Sequence, residues 1–215
     1  MVDLDFAIED VKVEKHSAAP LLLFALRVVN KTPELPVLNV MLNCQIRIEP
    51  TRRRYDGDEH DRLSDLFGEP SRWGETLRSL LWTHAGMATP AFGAACKVDL
   101  PVPCSYDFNI AATKYFHGLE RGDVPLNFLF SGSIFYRDGE GRLQISQIAW
   151  TKDCAYRLPV SVWRDMMEHY YPHSLWLCLQ RDAFEQLYRY RRRRGLPTFE
   201  SALQELLDAS AASAP

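Results

Sequence analysis

The chain reads as mainly β with α: an antiparallel β-sandwich of about seven or eight strands, a helical insertion, and a C-terminal helical segment. Three observations predict this. First, Val37 to Glu49 alternates with a period of two: Leu38, Val40, Leu42, Cys44, Ile46 and Ile48 share one face, and Asn39, Asn43, Gln45, Arg47 and Glu49 share the other. That pattern belongs to a strand with one buried face, and a one-residue slip would turn six apolar side chains to water. Second, two stretches of short strands with turn residues between them, 4–49 and 96–158, flank a segment of helical spacing. Third, no regular alternation of strand and helix appears, which argues against a parallel α/β sheet.

The first strand, Leu4 to Val13, changes parity between Phe6/Ile8 and Val11/Val13, which predicts a bulge near Glu9–Asp10. Leu21 to Val29 is apolar on both faces and so belongs in the middle of a sheet. Asn30 to Pro33 is turn chemistry leading to the organising strand. After Pro50 the period changes. Leu63, Leu66 and Phe67 lie at helical spacing, with Gly68 and Pro70 as a stop, and Ser71 caps an expected second helix over Arg72 to Leu81. Residues 56–82 are therefore read as a helical insertion or crossover, and 83–95 as irregular.

Strands return at Cys96. Pro101 and Pro103 cannot donate to a ladder, so this strand is placed at an edge. Tyr106, Phe108 and Ile110 alternate as a further short strand, and 111–119 is a short helix. Leu126 to Tyr136 and Leu143 to Trp150 pair across the Asp138–Gly141 hairpin turn, and Tyr156 to Val160 closes the β region. Beyond it come helices over 162–171, 181–194 and from 198. The expected layout is a sandwich over 1–160 with its insertion at about 56–82, a helical segment over 161–208 packed on it, and a frayed tail over 209–215.

With 215 residues, 47% apolar and 25% charged, the chain has ample material for a core. A net charge of −3 argues against nucleic acid as a partner through bulk attraction, and no apolar run reaches the length of a membrane span. The start, MVDLDF, lacks a signal-peptide pattern, and a cytoplasmic location is expected. Cys44, Cys96, Cys104, Cys154 and Cys178 are odd in number and widely spaced; they read as buried thiols. Cys96, Cys104 and Cys154 would have to converge with a histidine to hold metal. His169 and His173 are four apart, but Pro172 between them ends the helix first. The five tryptophans, Trp73, Trp82, Trp150, Trp163 and Trp176, are expected as core anchors.

No P-loop, GxGxxG turn, GxSxG elbow or HExxH helix is present, so no catalytic residue, metal ligand or cofactor is assigned. The clear charge concentration is Arg191, Arg192, Arg193 and Arg194, with Arg189 nearby; Arg52, Arg53 and Arg54 form a second run. Cations at a helix C-terminus also stabilise it through the dipole, so the first run has a structural use as well as a binding one.

The phrases CQIRIEP with RRRY (44–55), DLFGEPSRWGETL (65–77), LWTH (81–84), VDLPVPCSYDF (98–108), KYFHGL (114–119), PLNFLFSGSIFY (125–136), YRLPVSVWRDMM (156–167) and 179–207 together resemble a bacterial family of unknown function. The resemblance runs from about Phe6 to Leu207. It implies an occasional genomic association with high-affinity, oxygen-tolerant nickel–iron hydrogenases, and no activity. The expectation is a non-enzymatic accessory protein whose partner is a protein, such as a nickel–iron hydrogenase or its maturation proteins. A nucleic-acid binder using the arginine helix and a metal-handling protein using Cys and His are the alternatives. Homo-oligomerisation is compatible with the sequence, which carries no mark of oligomeric state.

Overall fold

A computed structural model describes residues 2–212, and the chain divides into two bodies, Met1–Trp176 and Leu177–Pro215. The first body contains all eight strands found among the described residues: β1 (Leu4–Val13), β2 (Leu21–Asn30), β3 (Val37–Ile48), β4 (Leu80–Ala88), β5 (Ala95–Pro103), β6 (Asp123–Arg137), β7 (Leu143–Gln147) and β8 (Asp153–Pro159). Four helices accompany them: α1 (Gly57–Phe67), the single turn α2 (Trp73–Thr76), α3 (Ala111–Gly118) and α4 (Val160–Tyr170).

The strands form two antiparallel sheets, a β-sandwich. One sheet has the order β1-β2-β5; the other has β4-β3-β6-β7, with β8 also pairing β6. The doubly apolar β2 is central in its sheet and the proline-bearing β5 is at an edge, as their composition requires. The parity change in β1 is a register shift between Ile8 and Asp10. In β3 the alternating face is buried: Val40, Leu42, Cys44, Ile46 and Ile48 are each 2% exposed or less.

Aromatic rings join the sheets. Phe24 on β2 meets Phe128 of β6 at 5.1 Å, Tyr156 of β8 at 5.9 Å and Trp82 of β4 at 6.4 Å, all edge-on. Phe6 of β1 stacks on Phe130 of β6 at 4.4 Å. The sheet edges approach each other at β1–β8 and at β4–β5. Phe116 on α3 continues the core outward, between Trp82 and Trp163 of α4 at 5.0 Å each.

The fifteen-residue β6 is the frame of the larger sheet. One edge pairs with β3 over 126–136, and the other is divided, with 123–129 on β8 and 133–137 on β7. Gly132 stands at the division with φ +132°, and a Cβ there would lie 2.0 Å from the Met41 carbonyl oxygen. Only glycine fits.

Two segments and two tryptophans differ from the sequence expectation. Residues 80–88 form β4, hydrogen-bonded to β3, where the spacing suggests the end of a helix and a loop. Leu80, Thr83, Ala85 and Met87 stand opposite inward-facing β3 residues, but a register shift at Trp82 breaks the alternation, and Ala, Gly and Thr leave little apolar signal. The helical stretch is consequently a long excursion between two neighbouring strands and not a crossover. Residues 106–110 do not form a strand: the Asp107 carboxylate accepts the Asn109 N–H at 2.9 Å and closes a turn. Trp150 is 90% exposed and Trp176 is 54% exposed, whereas Trp73 and Trp163 are buried.

The second body is a pair of helices, α5 (Arg181–Arg194) and α6 (Phe199–Ala212). Gly195 ends α5 in the left-handed region at φ 68°, and Thr198 caps α6 by accepting the Ser201 N–H at 3.0 Å. Helix α6 continues through Ala212; residues 213–215 of the expected frayed tail lie outside the described residues.

Candidate functional site

An open cleft of about 800 Å³ lies where the chain leaves β3 and enters α1, against the start of β6 and the end of β8. Five arginines line it, Arg52, Arg53, Arg54, Arg121 and Arg157, with the acids Asp56, Glu59 and Asp123. Pro50 ends β3 in a short 3-10 turn, after which Arg53 is extended at φ −129°, ψ 153°. An extended residue sends its neighbours the other way. The Arg53 side chain is turned inward and largely buried, and Arg52 and Arg54 are exposed.

The Arg53 guanidinium forms the floor of the cleft. It pairs with the Glu59 carboxylate and donates to the carbonyls of Asp123 and Arg121, both at 2.8 Å. Arg53 and Glu59 are 9% and 3% exposed at their side chains. A buried pair needs such added hydrogen bonds to offset its desolvation. One guanidinium thus ties the loop after β3, the first turn of α1 and the turn before β6. Gly122, at φ +76°, permits the approach: a Cβ there would lie 3.1 Å from the Arg53 guanidinium. The Arg53 Nε is buried and has no hydrogen-bond partner among the described residues.

Asp56 caps α1 by accepting the Glu59 N–H at 2.9 Å, and the Glu59 side chain returns to the Asp56 N–H. The Glu59 N–H, and then Arg121 at 3.4 Å, hold the Asp56 carboxyl below its usual range. Tyr55 donates to the Pro50 carbonyl at 2.9 Å and shares a 2.7 Å hydrogen bond with Tyr115. Burial pushes the Tyr55 hydroxyl up to about 12, so it holds its proton at neutral pH.

The cleft's cations therefore have unequal standing. Arg53 is consumed by Glu59 and the two carbonyls; Arg121 is matched by Asp56. Arg52, Arg54 and Arg157 have no carboxylate partner among the described residues. The arrangement offers guanidinium donors to an anion, and it brings no histidine, serine or cysteine with them.

The other arginine run, in the second body, is largely engaged there: Arg191 and Arg194 reach α6, and Arg189 and Arg192 make contacts along α5. Arg191 lies 4.4 Å over the Phe199 ring and 5.4 Å over Tyr188, and Arg192 lies 5.8 Å over Tyr188. Arg194 Nε donates to Glu205 at 2.6 Å, and Arg189 pairs with Glu185 at 3.0 Å. Arg193 makes no such contact among the described residues. The sequence displays both runs; it does not display Arg121, Arg157 or Glu59 as members of the cleft, because they arrive from distant segments.

A second cleft, of about 510 Å³, is lined by Arg62, Tyr106, His117, Trp163, Arg164, Asp165 and Glu168. Burial, then Arg164 and Arg62, push the His117 pKa down. Its arginines are engaged, Arg62 with the Glu120 carboxylate at 2.6 Å and Arg164 with the Glu120 carbonyl at 3.2 Å.

No three His, Cys, Asp or Glu side chains among the described residues stand in a metal-holding group. Burial pushes the Cys44 and Cys104 thiols up to about 12 and Cys154 to about 11, and raises Cys96. High thiol pKa values oppose metal ligation, which needs the thiolate. His169 Nε2 lies 3.3 Å from the Lys15 carbonyl oxygen, and His173 sits beyond the helix at φ 53° beside Glu168, so the two imidazoles share no helical face. No described helix is long and apolar enough to cross a membrane.

Comparison with known proteins adds little to this geometry. No curated protein matches the chain. Among solved structures, β-glucosidase 3B from Thermotoga neapolitana in complex with α-D-glucose aligns at 10% identity with a TM-score of 0.24. The alignment covers 73% of this chain and 17% of that one, a likeness too slight to carry an argument. A family model matches from the first residue to the last, over 1–215, and the chain therefore belongs to the family of unknown function DUF6084.

Proposed function

We propose that this chain is a non-enzymatic accessory protein that docks an acidic segment of a protein partner in its arginine cleft. The observation that carries the reading is the surplus at the cleft mouth: Arg52, Arg54 and Arg157 are exposed and lack carboxylate partners among the described residues, while the arginines beside them are matched. Planar guanidinium groups bind carboxylates bidentately, and a chain of net charge −3 has little general attraction for phosphate backbones. The lining offers no nucleophile paired with a base, and the Tyr55 hydroxyl is held protonated, which supports a binding role over a catalytic one. The exposed Arg192 and Arg193 of α5 are a second, smaller contact surface.

The genomic association implied by the family resemblance makes nickel–iron hydrogenase subunits and their maturation proteins the first partners to try, in the cytoplasm. The test is a pull-down of the natively expressed full chain, with partners identified by mass spectrometry, beside a variant carrying Arg54→Glu and Arg157→Glu. A specific complex lost in the variant is the expected result. Unchanged capture by the variant would overturn the role of the cleft. A salt-steep shift with mixed RNA or DNA, with no protein captured, would favour the nucleic-acid reading instead.

A further inference from the structure

We propose that β7 is the seam of a two-fold homodimer, in which β7 of one copy pairs antiparallel with β7 of a second copy about Ile145. The other sheet edges have protection. Pro101 and Pro103 blunt β5, β1 is bulged between Ile8 and Asp10 and lies beside β8, and β4 lies beside β5. Strand β7, LQISQ, has no proline, no charge and no bulge, and its far edge has no partner strand among the described residues.

The register shows which groups are free. Ile148 donates to the Gly132 carbonyl at 2.9 Å and Asp138 donates to the Arg142 carbonyl at 3.0 Å. In an antiparallel ladder that places the even residues Gln144 and Ser146 in bonding positions toward β6. The N–H and C=O groups of Leu143, Ile145 and Gln147 point to the open edge. None of them has a loop or turn partner among the described residues.

These three residues form a self-complementary set. A two-fold axis at Ile145 sets Ile145 against its own copy and Leu143 against Gln147 twice, so all three residues bond across the seam, about six hydrogen bonds in total. The outer face gains as well. Leu143 is 57% exposed and Ile145 is 59% exposed, and Ile145 stands beside Phe135 of β6. The axis doubles this into a strip running Phe135, Ile145, Ile145, Phe135 across the seam. Charge does not oppose it: Arg142, next to the strand, is already held by Asp138 at 3.0 Å and Glu140 at 2.8 Å. A foreign peptide could supply donors and acceptors, but it would not by necessity match both the register and the apolar strip.

The test uses the full chain, with its mass measured by light scattering across a dilution series. The expected result is twice the monomer mass, falling to the monomer mass on dilution. Ile145→Pro removes an N–H that points away from β6, and Ile145→Lys places like charges on the axis. Both variants should be monomeric, with a β-sheet circular dichroism spectrum confirming that they fold. Ile145→Cys places two thiols on a bonded pair whose Cα atoms stand about 5.5 Å apart, within disulfide reach. Mild oxidation should then give a reducible dimer well above the parent chain, and Leu143→Cys should not. A monomer at every concentration overturns the proposal, as does a dimer that survives folded Ile145→Lys or a chain that stays monomeric while its β7 recruits a different protein.

Discussion

Arg53 and Glu59 form a buried ion pair directly beneath a surface of unmatched arginines. The pair fixes the loop that presents Arg52 and Arg54, so the binding surface and the stability of the first body share one interaction.

Removing one partner strands the other's charge. Arg53→Met should destabilise the first body by about 3–5 kcal/mol, the usual cost of an orphaned buried ion. Adding Glu59→Leu should return part of the loss; two carbonyls and the α1 cap still lack their partners. Urea denaturation of the four members of this cycle measures it. A single-variant loss under about 1 kcal/mol would show that the pair is dispensable.

The Asp138 carboxylate holds the β6–β7 turn. Burial works to raise its pKa, but the Arg142 N–H, the side chains of Arg142 and Gln144, and the Glu140 N–H outweigh it and lower the value to about 2. A folded pKa below the unfolded value means that the stabilisation is full above about pH 4 and is lost as pH falls toward 2. Protection of the Glu140 and Arg142 amides, taken relative to their intrinsic exchange rates, should therefore fall between pH 4 and 2 in the parent chain. In Asp138→Asn the same amides should be less protected at neutral pH, with little further change in protection on acidification.

Thiol labelling should follow burial. Cys178 is exposed, Cys96 and Cys154 are half-buried, and Cys44 and Cys104 are buried with pKa values near 12. Mass spectrometry after a pulse of alkylating reagent should find Cys178 modified first, and Cys44 and Cys104 only in denaturant. Fast native labelling of Cys44 would mean that the sandwich opens locally.

Gly132→Ala should cost about 3 kcal/mol, since it combines a positive φ with a direct clash on Met41. Gly139→Ala has open space and an ordinary φ, and should leave the melting temperature nearly unchanged. Equal melting temperatures for the two variants would remove the structural role given to Gly132.

Much of the fold was legible because its strands obey short-range rules. The alternation of Val37–Glu49, the prolines of β5 and the parity change in β1 each specified a strand's type or place without any distant partner. Strand β4 was hidden by its small residues and by the register shift at Trp82, and only pairing with β3 makes it a strand. The candidate cleft was half visible. The run Arg52–Arg54 stands out, but the distinction between the consumed Arg53 and its exposed neighbours depends on Glu59, Arg121 and Asp123, which no local pattern connects. Trp150 shows the converse: its type suggests a core anchor, and its place after β7 leaves it in water.

The divided edge of β6 also constrains the order of assembly. Ile46 waits for Phe128, Phe24 waits for Leu100, and β6 is incomplete until β8 has been made. A topology so rich in distant pairings folds slowly, in milliseconds to seconds. On the ribosome, the first hundred residues would emerge with β3 and β4 lacking the strand that joins them to the rest of their sheet. That interval, rather than the finished fold, is where this chain is most exposed to aggregation and has most need of a chaperone.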